Sequence, residues 1–161
     1  MSLADFASGN PVATSTVLVK KTALEAVGGF DEQFRGPEDY DLWMRIAARF
    51  ELGRIDAPLM RYRQRAGSLS LDDRKFLPEV LRVLEKAFGE TGVLNTHRSL
   101  RSAALSSQYW SASWMAFCRG DRRTARRHWL QAYRLNRLSP EKTQRPWFRM
   151  LARYLVGKGR L

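Results

Sequence analysis

The hydrophobic pattern of this chain changes character near residue 70. Before that point short apolar runs alternate with turns, and after it the period is helical. Thr14 to Val19 is β-branched and apolar, which predicts a buried strand. Lys21 to Val27 reads as a short helix closed by Gly28-Gly29, because glycine adopts the left-handed conformation that ends a helix. A loop anchored by Phe30 and Phe34 follows. The next helix runs from about Pro37 to Phe50, with proline in the first turn, where a missing N–H loses no partner. Leu42, Ile46 and Phe50 line one face at i, i+4 and i+8, with Trp43 and Ala47 beside them. Glu51 to Ile55 and Leu59 to Arg63 read as short strands divided by Asp56-Ala57-Pro58. So few elements make a poor core by themselves, and residues 1–70 are read as part of a larger α/β unit.

From Phe76 onward Val80, Leu81, Leu84, Ala87 and Phe88 recur at helical spacing. Gly89 to Asn95 breaks that helix. A longer one is expected over about Ser99 to Cys118, and Gly120-Asp121 turns into another, with Asp121 as N-cap for Arg122 to Asn136. After Leu138-Ser139-Pro140, a last helix is expected to open at Pro146 with a stripe of Trp147, Met150, Leu151, Tyr154 and Leu155. The expected fold class is therefore α+β but mostly helical, an α/β segment followed by an α-helical domain.

Charge sharpens this division. The chain carries a formal charge of +12. Residues 1–70 hold nine Lys+Arg and nine Asp+Glu, and residues 71–94 hold four and five. Residues 95–161 hold fifteen and two. The excess belongs to the last stretch, so the chain reads as residues 1–70, a helical connector 71–94 and a basic α-helical domain 95–161. No apolar run approaches the roughly 18 residues that would span a bilayer. A single cysteine, Cys118, rules out an internal disulfide and a cysteine-rich zinc site. A cytoplasmic location is expected, with the inner face of the membrane as a further option. Cys118, at the end of an apolar helix, reads as buried rather than nucleophilic.

The segment Thr14 to Ser70 resembles the second half of the catalytic domain of family 2 glycosyltransferases, of the GT-A fold. The matching residues are the apolar run, Gly28-Gly29-Phe30-Asp31-Glu32, and Pro37-Glu38-Asp39-Tyr40-Asp41-Leu42-Trp43-Met44-Arg45. Asp56-Ala57-Pro58-Leu59, Tyr62-Arg63 and Gly67-Ser68-Leu69-Ser70 follow in order. The resemblance implies an inverting transfer of a sugar from a nucleotide-sugar donor to an acceptor hydroxyl, in cell-envelope polysaccharide or glycolipid synthesis. Such a reaction needs one base to take the hydroxyl proton, and the second acid of the Glu-Asp pair supplies it, which maps onto Asp39. Glu38 would position the acceptor or that base, and Trp43 and Phe30 would be structural. Both acids fall in the first turn of a helix, where exposed amides and the dipole favour carboxylates. Taken without the surrounding motifs, they read as ordinary decoration of a helix start. Asp41 is read as a surface partner of Arg45 at i+4.

Asp39-Tyr40-Asp41 is not read as the family's metal motif, since i and i+2 diverge on a helix and that motif lies on a loop elsewhere; no metal ligand is assigned. The implied nucleotide-sugar donor and a divalent ion such as Mg or Mn would belong to the complete enzyme. Many relatives have histidine where this chain has Arg65. Arginine cannot ligate a metal but can neutralise phosphate, so Arg65 and Arg63 are candidate contacts to the donor diphosphate, with exposed loop arginines the alternative. The resemblance also implies a nucleotide-binding half as partner. Without it, this chain is expected neither to bind nor to turn over a nucleotide-sugar, and its exposed domain interface could form a homodimer.

On a helix of 3.6 residues per turn, Arg122, Arg123, Arg126, Arg127, Arg134 and Arg137 share one side, opposite Ala125, His128, Trp129, Ala132 and Leu135. The basic side reads as a solvated face, as contact with anionic lipid, or as contact with nucleic acid. A sugar or lipid-linked acceptor fits the second of these. The alternative to an enzyme is a non-enzymatic basic helical module that binds anionic membrane or nucleic acid. His128 is read as a packed core residue rather than a ligand.

Overall fold

The computed structural model describes residues 1–61, 63, 68 and 71–136. Helices dominate: α1 (Lys21–Val27), α2 (Glu38–Ala47), α3 (Asp73–Phe88), α4 (Arg101–Cys118) and α5 (Arg122–Leu135), with short 3-10 turns at Leu3–Ser8, Thr14–Thr16 and Asn95–Leu100. Arg65 and the helix expected from Pro146 lie outside the described residues.

The helix ends follow local chemistry. Gly28 takes φ 80° and closes α1, with its N–H and that of Gly29 turned back onto the Glu25 and Leu24 carbonyls. Asp72 caps α3 by accepting from the Arg74 N–H, and Asp121 caps α5 by accepting from the Thr124 N–H at 3.0 Å. α2 stops at Ala47 rather than Phe50, which is left partly exposed.

Among the described residues the expected strands do not form, and Tyr62 of the last one lies outside those residues. Among the described residues none is in a strand: Thr14–Thr16 is a 3-10 turn, Val17 continues extended, and residues 51–61 form no regular element. The α/β part of the expected fold class is therefore not present as a sheet, while the mostly helical part is. A strand is completed by a neighbour's N–H and C=O groups. β-branched residues favour the extended backbone that Val17 adopts, but they cannot supply the partner. Apolar side chains of these segments consequently face outward: Leu18, Ile55 and Leu59 are exposed.

The core gathers Phe6, Tyr40, Leu42, Met44, Val83, Leu84 and Leu94, each essentially buried. Phe6 enters from the Leu3–Ser8 turn, and the Tyr40 hydroxyl donates to the Phe6 carbonyl. Burial raises the Tyr40 pKa well above its ordinary value, so the group stays a neutral donor. The loop after α3 folds tightly against that helix, where the Leu94 N–H donates to the Ala87 carbonyl at 2.7 Å. Gly92 makes the approach possible, because a Cβ there would overlap the Lys86 and Ala87 carbonyls. Gly92→Ala is expected to cost about 2 kcal/mol of overpacking, lowering Tm by roughly 4–8 °C. A calorimetric scan in which the variant melts with wild type would refute this.

α4 and α5 pair as a hairpin through small residues. Ala116 on α4 and Ala125 and Ala132 on α5 are buried, while Ala104 and Ala112 of α4 belong to the main core. Buried Ser106 and Ser113 on α4 donate to the Ala132 and Ala125 carbonyls at 2.9 and 2.8 Å. The hairpin is fastened to α3 at Asp73, which is 2% exposed. Its carboxylate meets Arg119 at 2.8 Å and His128 Nε2 at 3.4 Å.

His128 sits in its expected buried place, and burial depresses its pKa while Asp73 pulls the other way. The folded chain thus takes up this proton less readily than the unfolded chain does. Stability is complete above the unfolded value of about 6.5 and declines as pH falls through it. The wild-type urea midpoint should be lower at pH 5.5 than at pH 7.5, and the two should converge for His128→Gln. Cys118 departs from expectation: it is exposed at the end of α4, because the buried side of the helix ends at Ala116 and the chain turns at Gly120. Its thiol is nonetheless pushed up by partial desolvation, which disfavours the nucleophilic thiolate.

Candidate functional site

The acids named from the sequence separate into different environments. Glu38 and Asp39 are both half-buried at the start of α2. Glu38 turns back on its own helix entry, where its Oε2 accepts from the Gly36 N–H at 2.5 Å. Gly36 has φ 109°, a conformation that favours glycine, so the chain can turn sharply before Pro37. Asp39 instead reaches across to the 3-10 turn, where Thr14 Oγ1 donates to its Oδ2 at 2.5 Å. Among the described residues no cation pairs with Asp39.

Asp41 is the opposite case and corrects the expectation of a surface residue. It is 3% exposed. Its Oδ2 accepts from Arg45 Nε at 2.8 Å, and its Oδ1 meets Lys86 Nζ of α3 at 2.8 Å. Arg45 then donates to the Gly29 carbonyl at 2.7 Å and to the Val27 carbonyl. Lys86 also meets Asp31 at 2.9 Å and lies over the Phe34 ring, 5.2 Å from its centroid. This bonding holds the Asp31 carboxyl below its usual range. The expected i+4 pair is real, but its role is to join the end of α1, the loop after it, α2 and α3.

The Asp-x-Asp triplet therefore divides its labour. Asp41 is consumed by two cations, Tyr40 is buried in the core, and Asp39 alone is open. Among the described residues no three ligating side chains come together as a metal site would require. Asp39 by itself does not make a donor set for a divalent ion.

Arg63 is exposed, and Arg65 lies outside the described residues. The structure therefore brings together Asp39 and Thr14, and places Glu38 alongside as a local brace. Thr14 was not singled out from the sequence as a functional side chain. Nothing local signals it, since its partner is 25 residues away.

A family model described as glycosyltransferase-like family 2 matches residues 3–113, which include every residue of the Thr14–Asp39 pair and of the Asp41 network. No curated protein and no solved structure matches the chain.

Proposed function

The chain belongs to glycosyltransferase-like family 2, and from that premise we propose that Asp39 is the base of an inverting sugar transfer. The observation that carries this reading is the state of its carboxylate. In a motif crowded with acids, Asp39 is the one whose described partner is a single hydroxyl. A carboxylate has two oxygens and several lone pairs. With Oδ2 held by Thr14, Oδ1 remains to take a proton.

The step is a displacement at the anomeric carbon of a nucleotide-sugar. The acceptor oxygen forms its bond to that carbon from the face opposite the leaving group. The carbon–oxygen bond to the diphosphate breaks, and the nucleoside diphosphate leaves with the electron pair. The acceptor's hydroxyl proton passes to Asp39. Thr14 holds the carboxylate in one orientation so that the base meets the hydroxyl without a rotamer search. Arg63 and Arg65 are proposed to face the diphosphate, where forked guanidinium donors suit phosphate oxygens.

The nucleotide itself is proposed to bind a separate half of the catalytic unit. The exposed extended segments fit that arrangement. Ser15 Oγ lies 2.9 Å from the Met60 sulfur, so the turn after Ala13 and the 51–61 segment are neighbours. Leu18, Ile55 and Leu59 on these two stretches are exposed apolar side chains that such a half would cover. The acceptor is proposed to be a sugar or lipid-linked hydroxyl of envelope polysaccharide or glycolipid synthesis. No helix among the described residues is long and apolar enough to cross a membrane.

The deciding experiment replaces Asp39 by asparagine in the protein that carries its nucleotide-binding half. Transfer to acceptor and nucleoside diphosphate release are followed together. Unchanged transfer by Asp39→Asn would remove Asp39 from the chemistry.

A further inference from the structure

The solvent face of α5 breaks the local rules of helix electrostatics, and does so with arginine alone. Arg122, Arg123, Arg126, Arg127 and Arg134 are exposed, while Ala125, His128 and Ala132 are buried. The amino end of a helix carries the positive end of its dipole and favours acids. Here arginine fills the first two positions, and the first turn holds no acidic residue. Arg122 with Arg126 and Arg123 with Arg127 are like-charged pairs at i,i+4, which repel. The helix contains no Asp or Glu, and the capping Asp121 is engaged by the Thr124 N–H and by Arg119. Arg123, Arg126, Arg127 and Arg134 thus form a stripe about 16 Å long whose mutual repulsion no acid within the helix offsets. Its repulsion is relieved when a surface of opposite charge approaches.

We propose that this face of α5 docks on the surface of an anionic phospholipid bilayer. Charge complementarity selects an anion, and the aromatic residues beside the arginines select a bilayer. Tyr133 is 43% exposed and stacks parallel on Trp129, with centroids 5.7 Å apart. Trp110 meets Trp129 edge-on from the other helix at 6.0 Å. Rings packed against one another beside cations suit the headgroup boundary, where an apolar body and a polar tip are both satisfied. Single-stranded nucleic acid would instead need several open ring faces for its bases, and of Trp110, Trp129 and Tyr133 one alone, Tyr133, is exposed. The arginines also come from one straight helix and form a stripe rather than a groove that could track a strand. The same mixture of cations and aromatics continues in the sequence from Arg145 through Trp147, Phe148, Arg149 and Arg153 to Tyr154. The inference rests on α5 and is independent of the role of Asp39.

The test is co-sedimentation of the full chain with vesicles at physiological ionic strength. Vesicles of phosphatidylglycerol in phosphatidylcholine are expected to bind at least about tenfold better than phosphatidylcholine alone. The triple variant Arg123→Glu, Arg126→Glu, Arg127→Glu should lose about tenfold or more of that binding. Glutamate is favourable in the first turn, where Arg123 lies, and the other two positions are exposed, so circular dichroism and melting should stay close to wild type; the triple glutamine variant replaces it if they do not. Lys20→Glu with Lys21→Glu, which alters charge on and beside α1, should bind as wild type. Equal binding to both vesicle types would overturn the proposal. So would wild-type binding by the triple variant, or tighter association with duplex DNA or single-stranded RNA than with the anionic vesicles.

Discussion

Asp39→Asn is expected to slow sugar transfer about 100- to 10,000-fold, the range over which a positioned general base contributes, while the protein melts within a few degrees of wild type. The two halves of this expectation come from the same hydrogen bond. Asparagine keeps a carbonyl oxygen where Thr14 Oγ1 donates to Asp39 Oδ2, so the tie between the 3-10 turn and α2 can survive. The amide nitrogen that replaces the other oxygen has no basicity for a hydroxyl proton. Position is preserved and proton affinity is removed. Because Asp39 pairs with no cation among the described residues, the change strands no opposite charge in the interior. Rate and stability are therefore separable at this position. Nucleoside diphosphate release and acceptor glycosylation report the first, and thermal unfolding reports the second. A fall in kcat with little change in donor KM would identify an interaction made mainly in the transition state.

The same separability explains how much of this site the sequence could reveal. Helix limits were legible because their determinants are local. Gly28 ends α1 through its own backbone angle, and Asp121 caps α5 through an N–H three residues on. The basic and apolar sides of α5 followed from the helical period, and the described arginines are exposed as that period requires. The strands failed because pairing is not a property of the segment that pairs. Thr14 to Val19 advertises tolerance of an extended backbone, and only a neighbouring strand could convert that into a sheet. The two residues that give the site its form were illegible for a similar reason. Thr14 meets Asp39 across 25 residues. Lys86, which helps bury Asp41, comes from α3, beyond the first segment altogether. Spacing showed the Asp41–Arg45 pair and could not show that a third partner closes over it.

Asp41→Ala is accordingly expected to destabilise the fold by about 3 kcal/mol, although it lies only two residues from the proposed base. Removing one member of a buried ion pair typically costs about 3–5 kcal/mol, because the other charge is left without compensation. Here the lower end applies. The Arg45 side chain retains 17% exposure and keeps the carbonyls of Val27 and Gly29. Lys86 retains 41% exposure and keeps Asp31. Water and these remaining partners absorb part of the loss. A domain whose whole stability is about 5–15 kcal/mol would still surrender a large fraction of it. Urea titration should show the midpoint falling with the slope unchanged. Any loss of transfer should recover with conditions that restore folding, such as lower temperature. Asp39→Asn should show no such recovery. If Asp41→Ala instead unfolded with wild type and abolished transfer, Asp41 would belong to the chemistry, and the division of the triplet into one reactive and one structural carboxylate would be wrong.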